Sequence, residues 1–401
     1  MMHSKHKHIL SLTASILAAG SAQAYDLSLG TNLPPVVFHG FASQGFLDSS
    51  KYNYLGDTTR GSFNFSEAGL NASMDPFPHT HITAQGFLFD VGNVGQYNPS
   101  LDYALVDYNV SDAFGIRAGR IIRPEGIYNS IQSIDLARTS VLLPQGMYDA
   151  RYRDFSGAVD GGSLYGSFNL HKAGSLSYEI FGGEVNLASD GGIARYLEDA
   201  FRSPYTIYGG VNGFPEVGGQ FWWNTPLDGL RLGVSLDNAF GFSYDYQAFN
   251  GVGFTPIHAV TDALEQQYSV EYLWKSWTFQ AEYQYEDYND HNEIHGVSQP
   301  GTHSANDTWY AAADYRFNKW FDAGAYYTEH YNDVTARGEP LNYQKDLALS
   351  LRFDPTSWWV FKLEGHCIHG TALLHDNTDN PVQNQNGKPW YMLAVKTTFS
   401  F

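Results

Sequence analysis

Trp277-Thr278-Phe279-Gln280-Ala281-Glu282-Tyr283-Gln284-Tyr285-Glu286 alternates without a slip between ring or small apolar side chains and polar ones. A period of two is the pleat of a β-strand with one apolar and one polar face. The same alternation sets Trp309, Ala311, Ala313, Tyr315 and Phe317 against Thr308, Tyr310, Ala312, Asp314 and Arg316. It also sets Leu347, Leu349, Leu351 and Phe353 against Asp346, Ala348, Ser350 and Arg352. Tilted strands of about ten residues cross a bilayer, with the apolar face on lipid and the polar face on water.

Working outward, turn residues divide the chain into sixteen such stretches: 35–47, 61–73, 79–91, 101–110, 113–122, 154–170, 175–187, 216–225, 229–241, 265–274, 277–289, 307–317, 320–331, 343–353, 358–369 and 389–401. Short connections (Met74–Pro78, Ser111-Asp112, His171–Gly174, Pro226–Asp228, Lys275-Ser276, Asn318-Lys319, Asp354–Ser357) alternate with long ones near 48–60, 92–100, 123–153, 188–215, 242–264, 290–306, 332–342 and 370–388. The pattern predicts an all-β fold, a transmembrane antiparallel β-barrel of about 16 strands with short periplasmic turns and long extracellular loops. In 61–73, Phe63 and Phe65 have one parity and Ala68, Leu70 and Ala72 the other, which predicts a bulge. Asp160-Gly161-Gly162 reads as a turn sequence; keeping the loop alternation places it inside one long bulged strand.

The ends agree with this reading. Tyr391, Leu393, Val395, Thr397, Phe399 and Phe401 share one face of the last strand, and a closing strand ending in Phe resembles the signature that barrel-assembly machinery recognises. Lys5 and Lys7, the apolar run Ile9–Gly20 and Ala22-Gln23-Ala24 read as a secretory signal peptide over residues 1–24, leaving 25–401 as the barrel. Without Lys5 and Lys7 the net charge moves from -19 to about -21, which argues against a nucleic-acid partner. A lone Cys367 excludes an internal disulfide. Aromatic residues near strand ends (Trp222, Trp223, Trp274, Trp277, Trp309, Trp320, Phe321, Trp358, Trp359, Trp390) fit girdles at the two lipid–water boundaries.

Function is expected to sit in the third long connection, 123–153, which combines the apolar stretch Val141-Leu142-Leu143-Pro144 with an unusual density of charge. Arg117, Arg120, Arg123, Arg138, Arg151 and Arg153, with Glu125, Asp135 and Asp149, are the candidates for a charged constriction. Opposed arginines and carboxylates across a narrowing make a transverse field that filters solutes; the alternative is that they pair and hold the loop. Strand parity predicts inward acids at Glu179, Asp237, Glu271, Glu282, Glu286, Asp314, Asp346 and Glu364. Inward bases fall at Arg231, Arg316, Arg352, Lys362 and Lys396, so the wall leans acidic while the loop leans basic. Neither His291, His295 and His303 nor His366, His369 and His375 have the spacing of a metal site, and Asp376–Gly387 lacks the ordered ligands of a calcium loop. No cofactor is implied. Hydrolase signatures such as G-x-S-x-G and H-E-x-x-H are absent, so an enzyme is not expected.

Phe38-His39-Gly40-Phe41-Ala42-Ser43-Gln44-Gly45-Phe46 and Gly61-Ser62-Phe63-Asn64-Phe65-Ser66-Glu67-Ala68-Gly69, with Gly115-Ile116-Arg117-Ala118-Gly119-Arg120 and Leu142-Leu143-Pro144-Gln145, resemble a family of proteobacterial porin-like proteins, similar in style to phosphate-selective porins. The resemblance covers about residues 36–170. It implies a trimeric sixteen-stranded porin and suggests anion passage, although the Lys-rich pore wall of phosphate-selective porins has no counterpart here. The combined expectation is an outer-membrane porin for small hydrophilic solutes or ions, a homotrimer in contact with outer-membrane lipid and lipopolysaccharide. A closed structural or adhesive barrel is the alternative, and an outer-membrane hydrolase a third.

Overall fold

The computed structural model describes residues 25–27, 34–374, 380–381 and 386–401; the signal segment, His375 and most of the Asp376–Gly387 loop lie outside them. One antiparallel sheet contains 19 hydrogen-bonded segments. Three of these are additions to a ring of sixteen. Tyr25–Leu27 pairs onto the first ring strand, Val297–Ser298 folds back on its predecessor, and Thr206–Asn212 and Phe214–Asn224 are two parts of one strand.

The ring runs β1 Val36–Ser49, β2 Phe65–Phe77, β3 Thr80–Val91, β4 Ser100–Ser111 and β5 Phe114–Ile122. After a short helix α1, Arg153–Ser156, come β6 Ala158–Asn169, β7 Ser175–Val185, helix α2 Gly192–Ala200 and the two-part β8. It continues with β9 Leu230–Phe249, β10 Phe254–Trp274, β11 Trp277–Ile294, β12 Thr302–Asn318, β13 Phe321–Tyr331, β14 Tyr343–Thr356, β15 Trp359–Gly370 and β16 Trp390–Ser400. β16 closes on β1 from Met392↔Ser49 to Ser400↔Phe41. Phe401 and Gly40 exchange two backbone bonds of 3.1 and 2.9 Å. The Phe401 ring fills the space over Gly40, 2.5 Å from where a Cβ would stand.

All sixteen predicted strands are present. The differences are at their outer ends. The expected loops 242–264 and 290–306 are mostly strand: β9 to β12 have 20, 21, 18 and 17 residues, and β9 and β10 meet at a turn of residues 250–253. The residues explain it, because Phe242, Tyr244 and Tyr246 alternate with Ser243, Asp245 and Gln247. The predicted bulge in β2 is not there. Its register on β1 is continuous from Val37↔Ser73 to Gln44↔Ser66, Phe65 faces inward, and Phe63 precedes the strand. Asp160-Gly161-Gly162 lies inside β6, as expected, but residues 153–156 are helix rather than strand.

The outer face exposes Leu236, Leu264, Leu347, Leu349 and Leu393 among other apolar residues. At the short-turn end, a chain of ring contacts, some stacked and some tilted or edge-on, runs from Tyr272 and Phe279 through Trp277, Tyr315, Phe317, Phe321 and Phe353 to Phe361. The inner face is polar, with Gln267, Glu282, Gln284, Thr308, Ser350 and Lys362 all buried.

Candidate functional site

Between β5 and β6 the chain turns into the barrel. Gly126 sits at φ 51°, and a Cβ there would meet the Tyr148 hydroxyl at 2.2 Å. A buried loop must satisfy its own backbone polar groups, and here the wall does it. Gly126 donates to Ser235 of β9 (3.2 Å) and accepts from Gln220 of β8 (2.8 Å). Ile127 donates to Glu282 of β11 at 2.9 Å, and the Gly146 carbonyl accepts from Thr308 of β12 at 3.1 Å. Arg352 of β14 donates to the carbonyls of Leu136 and Arg138, at 2.7 and 3.1 Å. Lys362 of β15 donates to those of Asp135 and Ser140, at 2.7 and 2.9 Å. Glu364 accepts from Val141 N–H and Leu142 N–H, each at 2.9 Å.

The apolar stretch is buried as well. Val141 and Leu142 pack with Leu47, Phe65, Ile368 and Trp390, while Leu143 joins Ile127, Tyr148, Trp222 and Tyr310. Burying each such side chain contributes about 1.5–3 kcal/mol, enough to keep the segment inside.

The charged candidates separate into two poles. At the first, Arg123 pairs with Glu125, with Glu216 of β8 at 2.8 Å and with Glu265 of β10 at 3.8 Å. Asp237, Glu265 and Glu286 stand directly opposite one another across β9, β10 and β11. At the second, Asp135 pairs with Arg138 at 2.9 Å and Lys396 at 2.9 Å, and accepts from Thr398 at 2.7 Å; Lys396 also pairs with Glu67 of β2 at 2.5 Å. Burial alone would raise the Asp135 carboxyl, but Lys396, Lys362 and Arg138 hold it well below the usual carboxylate range. Arg123, Glu125, Asp135, Arg138 and Asp149 are all buried and face protein. Their partners lie within the loop or on the strands around it, the arrangement that the loop-holding alternative describes.

The remaining candidates are spread around the wall. Arg151 pairs with Asp149 at 2.5 Å, and Arg153 with Asp102 at 3.1 Å. Arg120 lies on the opposite face from Arg117, pairs with Asp160 at 3.2 Å and is not brought to the interior group. Its parity already separated it from Arg117, since residues three apart on a regular strand cannot share a face. Arg117 is inward and half-exposed, between Asp107 (2.9 Å) and Glu179 (2.6 Å). Arg231 meets Glu271 at 2.7 Å, and Arg316 reaches Asp322 and Asp354 at 3.1 and 3.3 Å. Asp314 occupies the space beside Gly324, with Oδ1 1.9 Å from where a Cβ would stand. Glu282 gathers Tyr148, Tyr310 and Ser269 at 2.5, 2.8 and 2.5 Å. His366 is sealed between Asp346 (2.8 Å) and Glu364 (3.0 Å).

Beside β4 to β8 the loop leaves space. A cavity of about 1110 Å³ at the short-turn end is lined by Tyr165, Glu179, Gln220, Trp222 and Asn224 among others. A second, of about 650 Å³, shares Asn109 and Tyr165 with it. Arg117 lies 4.2 Å over the Tyr165 ring and Arg231 4.3 Å over the Trp222 ring, two rings that line this vestibule. Toward the other end of the same side, Ile121, Val159, Phe181, Val185 and Phe214 form an apolar cluster with Phe155 and Phe242.

Reading the sequence missed Glu67, Glu216 and Glu265. Glu265 carried a usable signal. A two-residue turn at Lys275-Ser276 sets Trp274 against Trp277, which puts Glu265 opposite the inward Glu286. Glu67 and Glu216 have long-range partners that no local pattern announces.

No protein-family model matches the chain, and no curated protein does. Solved structures do. An anion-selective porin from Comamonas acidovorans superposes with TM-score 0.55 at 12% identity, covering 91% of this chain and 99% of that one. OmpF of Salmonella typhi, in complex with daunomycin, gives 0.56 at 12%, covering 94% and 100%. The outer membrane protein OmpT of Vibrio cholerae, in a trimer form, gives 0.52 at 14%, covering 91% and 99%. At these identities the likeness is one of fold: the chain has the sixteen-stranded barrel of Gram-negative outer-membrane porins.

Proposed function

We propose that the protein is an outer-membrane porin through which small hydrophilic solutes or ions diffuse passively. The observation that carries this reading is a loop folded inside a closed, polar-walled sixteen-stranded barrel and held to one side, beside a vestibule of about 1110 Å³. A polar wall set against a narrowing loop is how a barrel passes water-soluble cargo while limiting its size. The path is proposed to run between residues 126–150 and the wall of β4 to β7. Arg117 and Arg231 are the charges a solute meets in the vestibule, each paired with an acid, which favours weak selectivity over strong anion preference.

The surroundings follow from the same reading. Residues 1–24 act as a cleaved signal peptide, the exposed leucines face outer-membrane lipid, and lipopolysaccharide meets the outer ends. The last strand is read by the barrel-assembly machinery. A homotrimer is supported by porin neighbours of the same fold, one of them described as a trimer form. Catalysis is not part of the proposal: both ring nitrogens of His366 are engaged by carboxylates.

The apolar cluster around Phe181 favours a second reading, a barrel closed at its outer end that serves as a scaffold. Planar-bilayer recording decides between them. Stable conductance steps from the purified, heat-modifiable barrel are expected; silence from well-folded protein would remove the porin reading.

A further inference from the structure

Three acids whose carboxylates converge inside the barrel are the feature that the channel reading leaves unused. Ligand oxygens of Glu125, Asp237 and Glu265 lie within 4.8 Å of one another. Like charges placed opposite across strands repel, and burial out of water strengthens the repulsion. Arg123 is the cation beside them, and it is shared with Glu216. Gln284 donates to Glu265 at 2.5 Å and to Glu125 at 3.3 Å. These donors leave part of the cluster unanswered. Asp237 is 3% exposed, and neither of its carboxylate oxygens has a hydrogen-bond partner. Glu216 is 1% exposed, and its second oxygen has none either. A buried carboxylate with both oxygens bare, aimed at two others, is the arrangement a cation satisfies.

The position is shaped for it. The Asp237 carboxylate lies where a side chain at position 218 would stand, 1.9 Å from an ideal Cβ, so Gly218 gives it room. Asp237 and Glu265 are held on neighbouring strands, and Glu125 is delivered by the inward turn at Gly126.

We infer that Glu125, Asp237 and Glu265 form a binding site for a hard divalent cation, calcium by preference, which fastens the start of the inward loop to β9 and β10. The donor set is oxygen alone, which suits calcium or magnesium and disfavours the softer transition metals. Calcium accepts about six to eight oxygens at about 2.3–2.6 Å in irregular geometry, whereas magnesium demands a tight octahedron. Carboxylates spread over 4.8 Å fit the former with small adjustments.

The test is calcium binding to the purified barrel in detergent after chelator treatment, measured by calorimetry with CaCl₂ against a background of excess MgCl₂. Saturable binding of one calcium per chain is expected, weakened by about tenfold or more in Asp237→Asn and in Glu265→Gln. Binding that both variants leave unchanged would overturn the site. So would an absence of saturable binding to the wild type. Should either variant fail to fold, the wild-type melting temperature serves instead: calcium raises it and equimolar magnesium does not, and equal shifts with both ions would count against the site. No current is measured, so these outcomes are independent of whether the barrel conducts.

Discussion

The two charged poles of the inward loop are built from the same residue types and answered in opposite ways. At Asp135, Arg138, Lys362 and Lys396 supply the countercharge, and each lysine has carbonyl or carboxylate acceptors. At Arg123, one guanidinium serves Glu125, Glu216 and Glu265, with Asp237 beside them and unbonded. A buried charge is tolerable when donors and acceptors balance around it and costly when they do not. The Asp135 pole therefore stabilises the docked loop by itself, and the Arg123 pole needs something added. The two poles carry opposite net formal charge, and the charges that make them are buried in protein, Glu265 only partly.

The contrast can be broken most severely at Asp135. Asp135→Ala removes the carboxylate that three buried cations share and should destabilise the barrel by about 3–5 kcal/mol. Denaturant unfolding in detergent or lipid vesicles measures this; a change below about 1 kcal/mol would mean that the loop is not held there.

A pH series sharpens the comparison with a single acid elsewhere on the loop. Asp154 in α1 has its carboxyl pushed up to about 6 by burial. Its folded value exceeds that of the free chain, about 3.9, so its contribution is full below that pH and lost as pH rises through about 6. Asp135 is depressed, so its contribution is full above about 4 and lost on further acidification. Raising pH from 4 to 7 should cost the wild type about 1–2 kcal/mol that Asp154→Asn does not lose. A variant that tracks the wild type over that range contradicts the assignment.

At the acidic pole the sign should reverse. In chelator, Asp237→Asn removes one unanswered charge and should raise stability by about 1 kcal/mol; a loss of that size would show that Asp237 already has a counterion from the protein. The smallest effect is expected where charge meets water. Arg117→Ala should shift the reversal potential toward cations while costing under about 1 kcal/mol. Arg120→Ala, on the other face, should leave the potential where it was. A shift from Arg120 and none from Arg117 would exchange their assigned faces.

How much of this was legible follows from the range of the interactions. Alternation from Trp277 to Glu286 and from Leu347 to Phe353 is local, and it revealed strands, faces and the inward parity of Glu282 and Glu364. The Val141-Leu142-Leu143 stretch announced that the third connection packs against protein. What local pattern cannot hold is partnership. Lys396 meets Asp135 from 261 residues away, and nothing near either residue says so. The outer halves of β9 to β12 resemble loops in sequence because Asp, Asn and Gly dilute their aromatic alternation.

The closing strand carries a consequence for the order of assembly. Lys396 and Thr398 both grip Asp135, and both sit on the segment that zips the ring shut against β1. Both side chains come from the strand that meets β1 at the seam. Until that strand is in place, Asp135 lacks two of its side-chain partners, and Arg352, Lys362 and Glu364 hold the backbone around it. Closing the cylinder thus also completes the hold on its insert, through contacts of very long sequence separation, the kind that slows a folding search. An unfinished barrel would differ from a finished one in how firmly its insert is held as well as in whether it is closed.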